Sequence, residues 1–159
     1  MRVLYTGSFD PITVGHLDII KRISKKFDTV IVTVFNNQEK KYWFPIEERC
    51  EMVRAAVEGL TNVEVDFTSG LVVDYCARKD ISIIVRGLRA VSDYEYELSI
   101  SSINKHLSKE LETFFLVATP QYSFLSSSMV KDVAEHGGRF EDLVPENVVQ
   151  NIYRLLGRK

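Results

Sequence analysis

The stretch VLYTGSFDPITVGHLDII, residues 3 to 20, decides the fold. It passes from an apolar run, Val3 to Tyr5, through a turn of small residues into a segment with helical spacing. His16, Ile20, Ile23 and Phe27 fall four, three and four residues apart, which places them on one stripe of a helix. A strand, a tight turn and a helix in that order begin a βαβ unit of a parallel sheet. The turn itself is unusual, because it spends glycine, serine, aspartate and proline on setting a histidine at the head of a helix.

The same alternation continues along the chain. TVIVTVF (29–35), VEVDF (63–67), ISIIVRG (81–87) and TFFLVA (113–118) are β-branched and aromatic runs, nearly continuous in apolar character or only loosely alternating. That is the pattern of strands covered on both faces. Between them, Ile46, Cys50, Val53, Val57 and Leu60 repeat the helical rhythm, and LVVDYCARKD (71–80) predicts a short helix. A longer helix is predicted over 90–111, with Tyr96, Ile100, Ile103, Leu107 and Leu111 on one stripe and Val91, Tyr94 and Leu98 on a second. A helix apolar over so wide an arc is either deeply buried or carries a subunit contact. SSSMVKDVAEHGG (126–138) stops at Gly137 and Gly138, and PENVVQNIYRLLGRK (145–159) closes the chain as a last helix. The expectation is α/β: a Rossmann-like open five-stranded parallel sheet with helices on both faces, one domain over 1–159.

The composition fits that expectation. Hydrophobic residues make up 45% and charged residues 26%, and 20 basic against 22 acidic residues leave a formal net charge of -2. This balance lacks the basic excess of a nucleic-acid binder. No apolar run approaches the ~20 residues of a membrane span and the start has no leader shape, so no membrane partner is expected. Cys50 and Cys76 are too few and too far apart for a disulfide framework and read as reduced, buried thiols of a cytoplasmic protein.

Ligands of such sheets bind beyond the carboxyl ends of the strands. The loops that leave those ends read TGSFDPITVGH, NNQEKKYWF, RGLR and TPQYSFLSSS. They bring glycines, hydroxyls, Lys40 and Lys41, Arg86, Arg89 and His16 to a single edge. Such donors, with helix N-termini among them, suit phosphate oxygens. No carboxylate pair stands at acid–base spacing, and His16, His106 and His136 have no Cys or His neighbour at metal-ligand spacing, so no protein-held metal is expected. The P-loop, the G-x-G-x-x-G fingerprint and the G-x-S-x-G elbow are all missing.

GSFDPITVGH, with Thr13-Val14-Gly15-His16 as its T-x-G-H, resembles the signature of the nucleotidyltransferase α/β phosphodiesterase superfamily. VRGLRAVSDYEYE (85–97), KK at 40–41, EER at 47–49, FLSSSMVK (124–131) and VPENV (144–148) narrow the likeness to the bacterial phosphopantetheine adenylyltransferases, over the whole chain. Thr6 departs from the usual proline and Ser8 from the common threonine.

The resemblance implies transfer of AMP from ATP to 4′-phosphopantetheine, giving dephospho-coenzyme A and pyrophosphate by in-line attack. It implies a catalytic set of His16, Lys40 and Arg89. ATP would meet Ser8, Phe9, His16, Gly87, Leu88, Arg89, Glu97 and the run Tyr122, Ser123, Phe124, Leu125, Ser126, Ser127 and Ser128. Ser8, Lys40, Val72 and Arg86 would hold the acceptor. Mg²⁺ would come with ATP, coenzyme A is an expected feedback ligand, and family members are typically homohexamers. A neighbouring adenylyltransferase acting on nicotinate or nicotinamide mononucleotide, and a non-catalytic nucleotide sensor, are the alternative readings.

Overall fold

The computed structural model describes residues 1–158, the side chain of Ser92 excepted, so Lys159 of the predicted last helix lies outside it. Five strands, β1 (Arg2–Gly7), β2 (Thr29–Phe35), β3 (Val63–Thr68), β4 (Ile83–Leu88) and β5 (Glu112–Val117), form the sheet. They alternate with α1 (Val14–Ser24), α2 (Ile46–Ala56), α3 (Val72–Lys79) and α4 (Val91–Leu107). A 3-10 turn at Pro120–Tyr122 leads into α5 (Ser127–Glu135), and α6 (Glu146–Leu155) follows. All strand pairs are parallel, in the order β3-β2-β1-β4-β5. The α/β Rossmann-like architecture is as the sequence predicts.

Alternation along each strand explains the continuous apolar runs. Val3, Tyr5, Val30, Val32, Ile83 and Val85 face a large core closed by Ile20 of α1, Val53 of α2, Val130 of α5 and Ile152 of α6. Leu4, Ile31 and Ile84 face the opposite side, where Val73, Tyr75 and Cys76 of α3 meet them. Neighbouring residues point to opposite faces and both faces are buried, so the middles of β1, β2 and β4 are apolar except at the buried Thr33 of β2. Cys50 and Cys76 are free and buried, and burial pushes the Cys76 thiol up to about 11.

Helix α4 departs from expectation. It ends at Leu107 rather than 111, and Leu111 is buried beyond it at the approach to β5. Both of its apolar stripes are largely outside: Tyr96, Ile103 and Leu107 are about half exposed or more, as is Val91. Of the helix's described residues only Glu97 is buried. Deep burial was one of two readings of its apolar arc, and that reading does not hold in the single chain.

Strand order reverses between β1 and β4, the switch point of the sheet. β1 pairs with β2 from Arg2 to Gly7, but with β4 only at Leu4↔Ile84 and Tyr5↔Val85. Past those two rungs the central strands part, and the guanidinium of Arg86 donates to the carbonyl of Thr6. The crevice of the molecule begins there.

Candidate active site

The turn between β1 and α1 is fixed by its own packing. Phe9 has a positive φ of 47° and only 2% exposure, and its ring lies across Gly7. A Cβ on Gly7 would come 3.2 Å from that ring, so any larger residue there would make the ring give way by a few tenths of an ångström. The ring also meets His16 edge-on, with centroids 5.1 Å apart. Buried Asp10 accepts from the backbone N–H groups of Trp43 and Phe44 at 2.8 and 2.9 Å, and from Lys131 at 2.7 Å. The turn is therefore tied to the β2–α2 loop and to α5.

α1 starts two residues before His16, with Thr13 as its N-cap. The Thr13 hydroxyl accepts from the His16 backbone N–H at 3.2 Å, and the Thr13 N–H donates to His16 Nδ1 at 3.0 Å. This reciprocal cap satisfies two orphan donors of the helix start. It also fixes the imidazole chemistry. Nδ1 accepts, so in the neutral ring the proton sits on Nε2, which is left as a donor. Burial, and then the charges of Arg89 and Arg86, push the His16 pKa down from 6.5 to about 4. The ring is thus an uncharged hydrogen-bond donor at neutral pH.

Two clefts open at the carboxyl edge of the sheet. The first, about 320 Å³, is lined by Thr13, Gly15 and His16 on one side and by Gly87, Arg89, Tyr122, Leu125 and Ser126 on the other. The second, about 430 Å³, takes in Asn37, Lys40, Tyr42, Val72, Ile100 and Asn104. The two share a wall made of Thr6, Gly7, Ser8, Arg86, Tyr96 and Glu97. That wall is the place where β1 and β4 part.

Arg86 spans the wall. Its Nε and Nη2 donate to the two carboxylate oxygens of Glu97 at 2.8 and 2.7 Å, a bidentate fork. Burial works against the guanidinium charge, but the Glu97 carboxylate outweighs it and raises the Arg86 pKa. Arg89 is held by Asp93, with Nε 3.0 Å from a carboxylate oxygen, and by a 3.0 Å bond to the Leu125 carbonyl. Both cations keep part of their surface toward the first cleft. Ser126 caps α5 by accepting from the Met129 N–H, so a second helix N-terminus faces the same space.

Most residues singled out in the sequence come together here. Ser8, His16, Arg86, Gly87, Arg89, Glu97, Tyr122, Leu125 and Ser126 line the first cleft, and Lys40 and Val72 join Ser8, Arg86 and Glu97 on the second. Phe9, Leu88, Ser123, Phe124, Ser127 and Ser128 line neither. Phe9 packs under the turn, Ser127 donates to the Pro11 carbonyl at 2.8 Å, and Ser123 turns back to Pro120 at 2.9 Å. Glu97, expected beside the nucleotide, faces both clefts and is held by Arg86. Sequence spacing gave no sign of Asn37, Tyr42 and Asn104, nor of Thr13 as the clamp on His16. A threonine three residues before the histidine, at the N-cap to N3 interval, was the available signal.

A parallel sheet that parts at its switch point, with a glycine-bearing turn delivering a neutral histidine to a helix start, defines a nucleotidyltransferase fold. Residues 4–133 match the cytidylyltransferase-like family, and the chain belongs to that family. Among solved structures the chain is similar to the nicotinic acid mononucleotide adenylyltransferase of Plasmodium falciparum, complexed with NaAD, with a TM-score of 0.71. The two are 13% identical over 96% of this chain and 94% of that one, a likeness of fold. No helix among the described residues is long and apolar enough to cross a membrane.

Proposed function

We propose that the protein transfers AMP from ATP to 4′-phosphopantetheine, giving dephospho-coenzyme A and pyrophosphate. The observation that carries this reading is the pair of clefts meeting at Ser8 and the Arg86–Glu97 fork. Two substrates that react with each other need adjoining compartments and a shared boundary where the reacting atoms meet.

In this reading ATP occupies the first cleft, as its magnesium complex, with the metal held by its own phosphates. The α-phosphate lies beside His16 Nε2–H, Ser8 and the start of α1, and Arg89 and the start of α5 face the rest of the polyphosphate. The acceptor phosphate lies between Lys40 and Arg86. An oxygen of that phosphate bonds to the α-phosphorus while the bond to the β-phosphate oxygen breaks and pyrophosphate leaves. No protein nucleophile is needed. The residues supply fixed donors where charge builds up, which is the larger part of catalysis in such transfers. A neutral His16 fits this role, because it stabilises an oxyanion without exchanging a proton.

The second cleft supports the acceptor assignment. Val72, Ile84 and Ile100 offer an aliphatic wall and Asn37 and Asn104 offer amides, a mixture suited to a chain that alternates methylenes and amides. The proposal extends to a cytoplasmic homohexamer, whose contacts would cover the outer face of α4, and to coenzyme A competing through the same arm. The test is pyrophosphate release from ATP and Mg²⁺ with 4′-phosphopantetheine or nicotinate mononucleotide as acceptor. Release with phosphopantetheine alone is expected. Release only with the mononucleotide moves the specificity, and binding of ATP without release to either acceptor supports a sensor.

A further inference from the structure

Arg49 is 0% exposed, the first-ranked side chain by size among those fully buried. A buried cation is ordinarily paired with an anion. Among the described residues, the hydrogen bonds of Arg49 go to neutral groups only. Nε donates to the Phe44 carbonyl at 3.0 Å, Nη1 to the Ser8 and Phe35 carbonyls at 2.8 and 3.0 Å, and Nη2 to Asn36 Oδ1 at 2.7 Å. Its planar group also lies over the Tyr42 ring, 3.8 Å from the centroid.

Of those partners Ser8, Phe35 and Tyr42 line the second cleft, Asn36 follows Phe35 directly and Phe44 lies two residues beyond Tyr42. Ser8 comes immediately before Phe9, the residue with positive φ, so the bond to its carbonyl fixes the turn where it is least able to fix itself. Phe35 ends β2 and Asn36 follows it, and Phe44 closes the loop that returns to α2. Within that loop the Tyr42 hydroxyl accepts from the Asn37 N–H at 2.8 Å, and Lys40 N–H donates to the Asn37 carbonyl at 3.1 Å. Lys40 is therefore carried by a loop wrapped on the Arg49 guanidinium, and the same Nη1 that holds the Phe35 carbonyl at the start of that loop also holds Ser8. Arg49 itself lines neither cleft.

We infer that Arg49 is a positioning residue that sets the separation between the Ser8 wall and the Lys40 loop, and through it the acceptor subsite. The kinetic part of this inference rests on the adenylyl transfer proposed above; the structural part rests on the geometry alone. A planar fork that donates in three directions while stacking on a ring is available to arginine and not to lysine. Arg49→Lys therefore keeps the charge and removes the geometry, which separates positioning from an electrostatic effect on the substrates.

Trp43 is the only tryptophan and adjoins Phe44 in this loop, so its fluorescence reports the loop without any turnover. The experiment compares the full chain with Arg49→Lys and Asn36→Ala by acrylamide quenching of Trp43, by thermal midpoint, and by KM for each substrate. Arg49→Lys is expected to raise Trp43 quenching and to raise the KM for 4′-phosphopantetheine by roughly tenfold or more, with the KM for ATP within about twofold. Asn36→Ala removes one of the four bonds and should move both readouts the same way by less. Wild-type quenching in both folded variants, or equal losses for the two substrates, overturns the inference. If Arg49→Lys does not fold, Asn36→Ala decides by the same two readouts. If the wild type uses neither acceptor, the adenylyl-transfer reading falls, and quenching alone decides whether Arg49 sets the loop.

Discussion

Replacing His16 by glutamine should flatten the acid side of the stability curve. In the fold the imidazole pKa is about 4 instead of 6.5, because burial and then the charges of Arg89 and Arg86 disfavour its protonated form. As pH falls through 6.5 the unfolded chain takes up this proton, and the folded chain refuses it until about pH 4. The stabilising contribution is therefore whole above pH 6.5 and is lost across the window from 6.5 down to 4. At pH 5 the unfolded ring is almost fully protonated and the folded ring hardly at all, which costs about 2 kcal/mol relative to pH 7. By pH 4 the loss reaches about 3 kcal/mol. Urea unfolding of the wild type and His16→Gln at pH 7, 6 and 5 measures this directly. His106 and His136 are present in both proteins, so the difference of differences belongs to His16. The wild type should lose about 2 kcal/mol more than the variant between pH 7 and 5. Parallel stability curves, or an NMR titration of His16 centred near 6.5, would refute both the charge state and the donor role built on it.

Gly15→Ala should separate stability from binding. An added methyl would meet Thr13 Oγ1 at 3.5 Å and Leu125 Cδ2 at 3.6 Å, ordinary contacts, and alanine in α1 gains roughly 0.5–1 kcal/mol over glycine. The thermal midpoint should hold or rise while ATP affinity, read by calorimetry, falls because the methyl enters the first cleft. Thr13→Ala should cost about 1 kcal/mol or somewhat more as a lost N-cap, together with a drop in kcat as His16 loses its clamp. Thr13→Ser should restore both, and a serine variant as poor as the alanine one would count against the cap as the cause.

The central strands β1, β2 and β4 were legible because burial on both faces leaves a nearly unbroken apolar run, whereas the edge strands β3 and β5 are partly exposed and β3 alternates with Glu64 and Asp66. Ser8, His16, Arg86 and Arg89 were legible for a related reason: topology sends every β-to-α loop to one edge, so unusual residues in those loops collect there. What escaped depends on contacts that spacing does not encode. Spacing does not say where the Phe9 side chain goes, and only the fold shows its positive φ and its ring lying over Gly7. Ser127 reads like its neighbours, yet its hydroxyl is taken by Pro11, 116 positions away. Helix α4 carries apolar residues on both sides, and periodicity alone could not tell a face inside the chain from one left outside.

The parting of β1 and β4 after Tyr5 and Val85 also divides the site by where along the chain its parts come from. On one side, the strand ends, the turn and the starts of α1 and α5 form a compact set whose members hold one another. On the other, the wall is assembled from the β2–α2 loop, the first residue of α3, the inner side of α4 and Thr113 of β5. Those contributors come from four separate elements, and their side chains can change while the sheet registers stay as they are. The second cleft of this scaffold is therefore open to replacement piece by piece, and the half that holds His16 can remain constant while the other wall is remade.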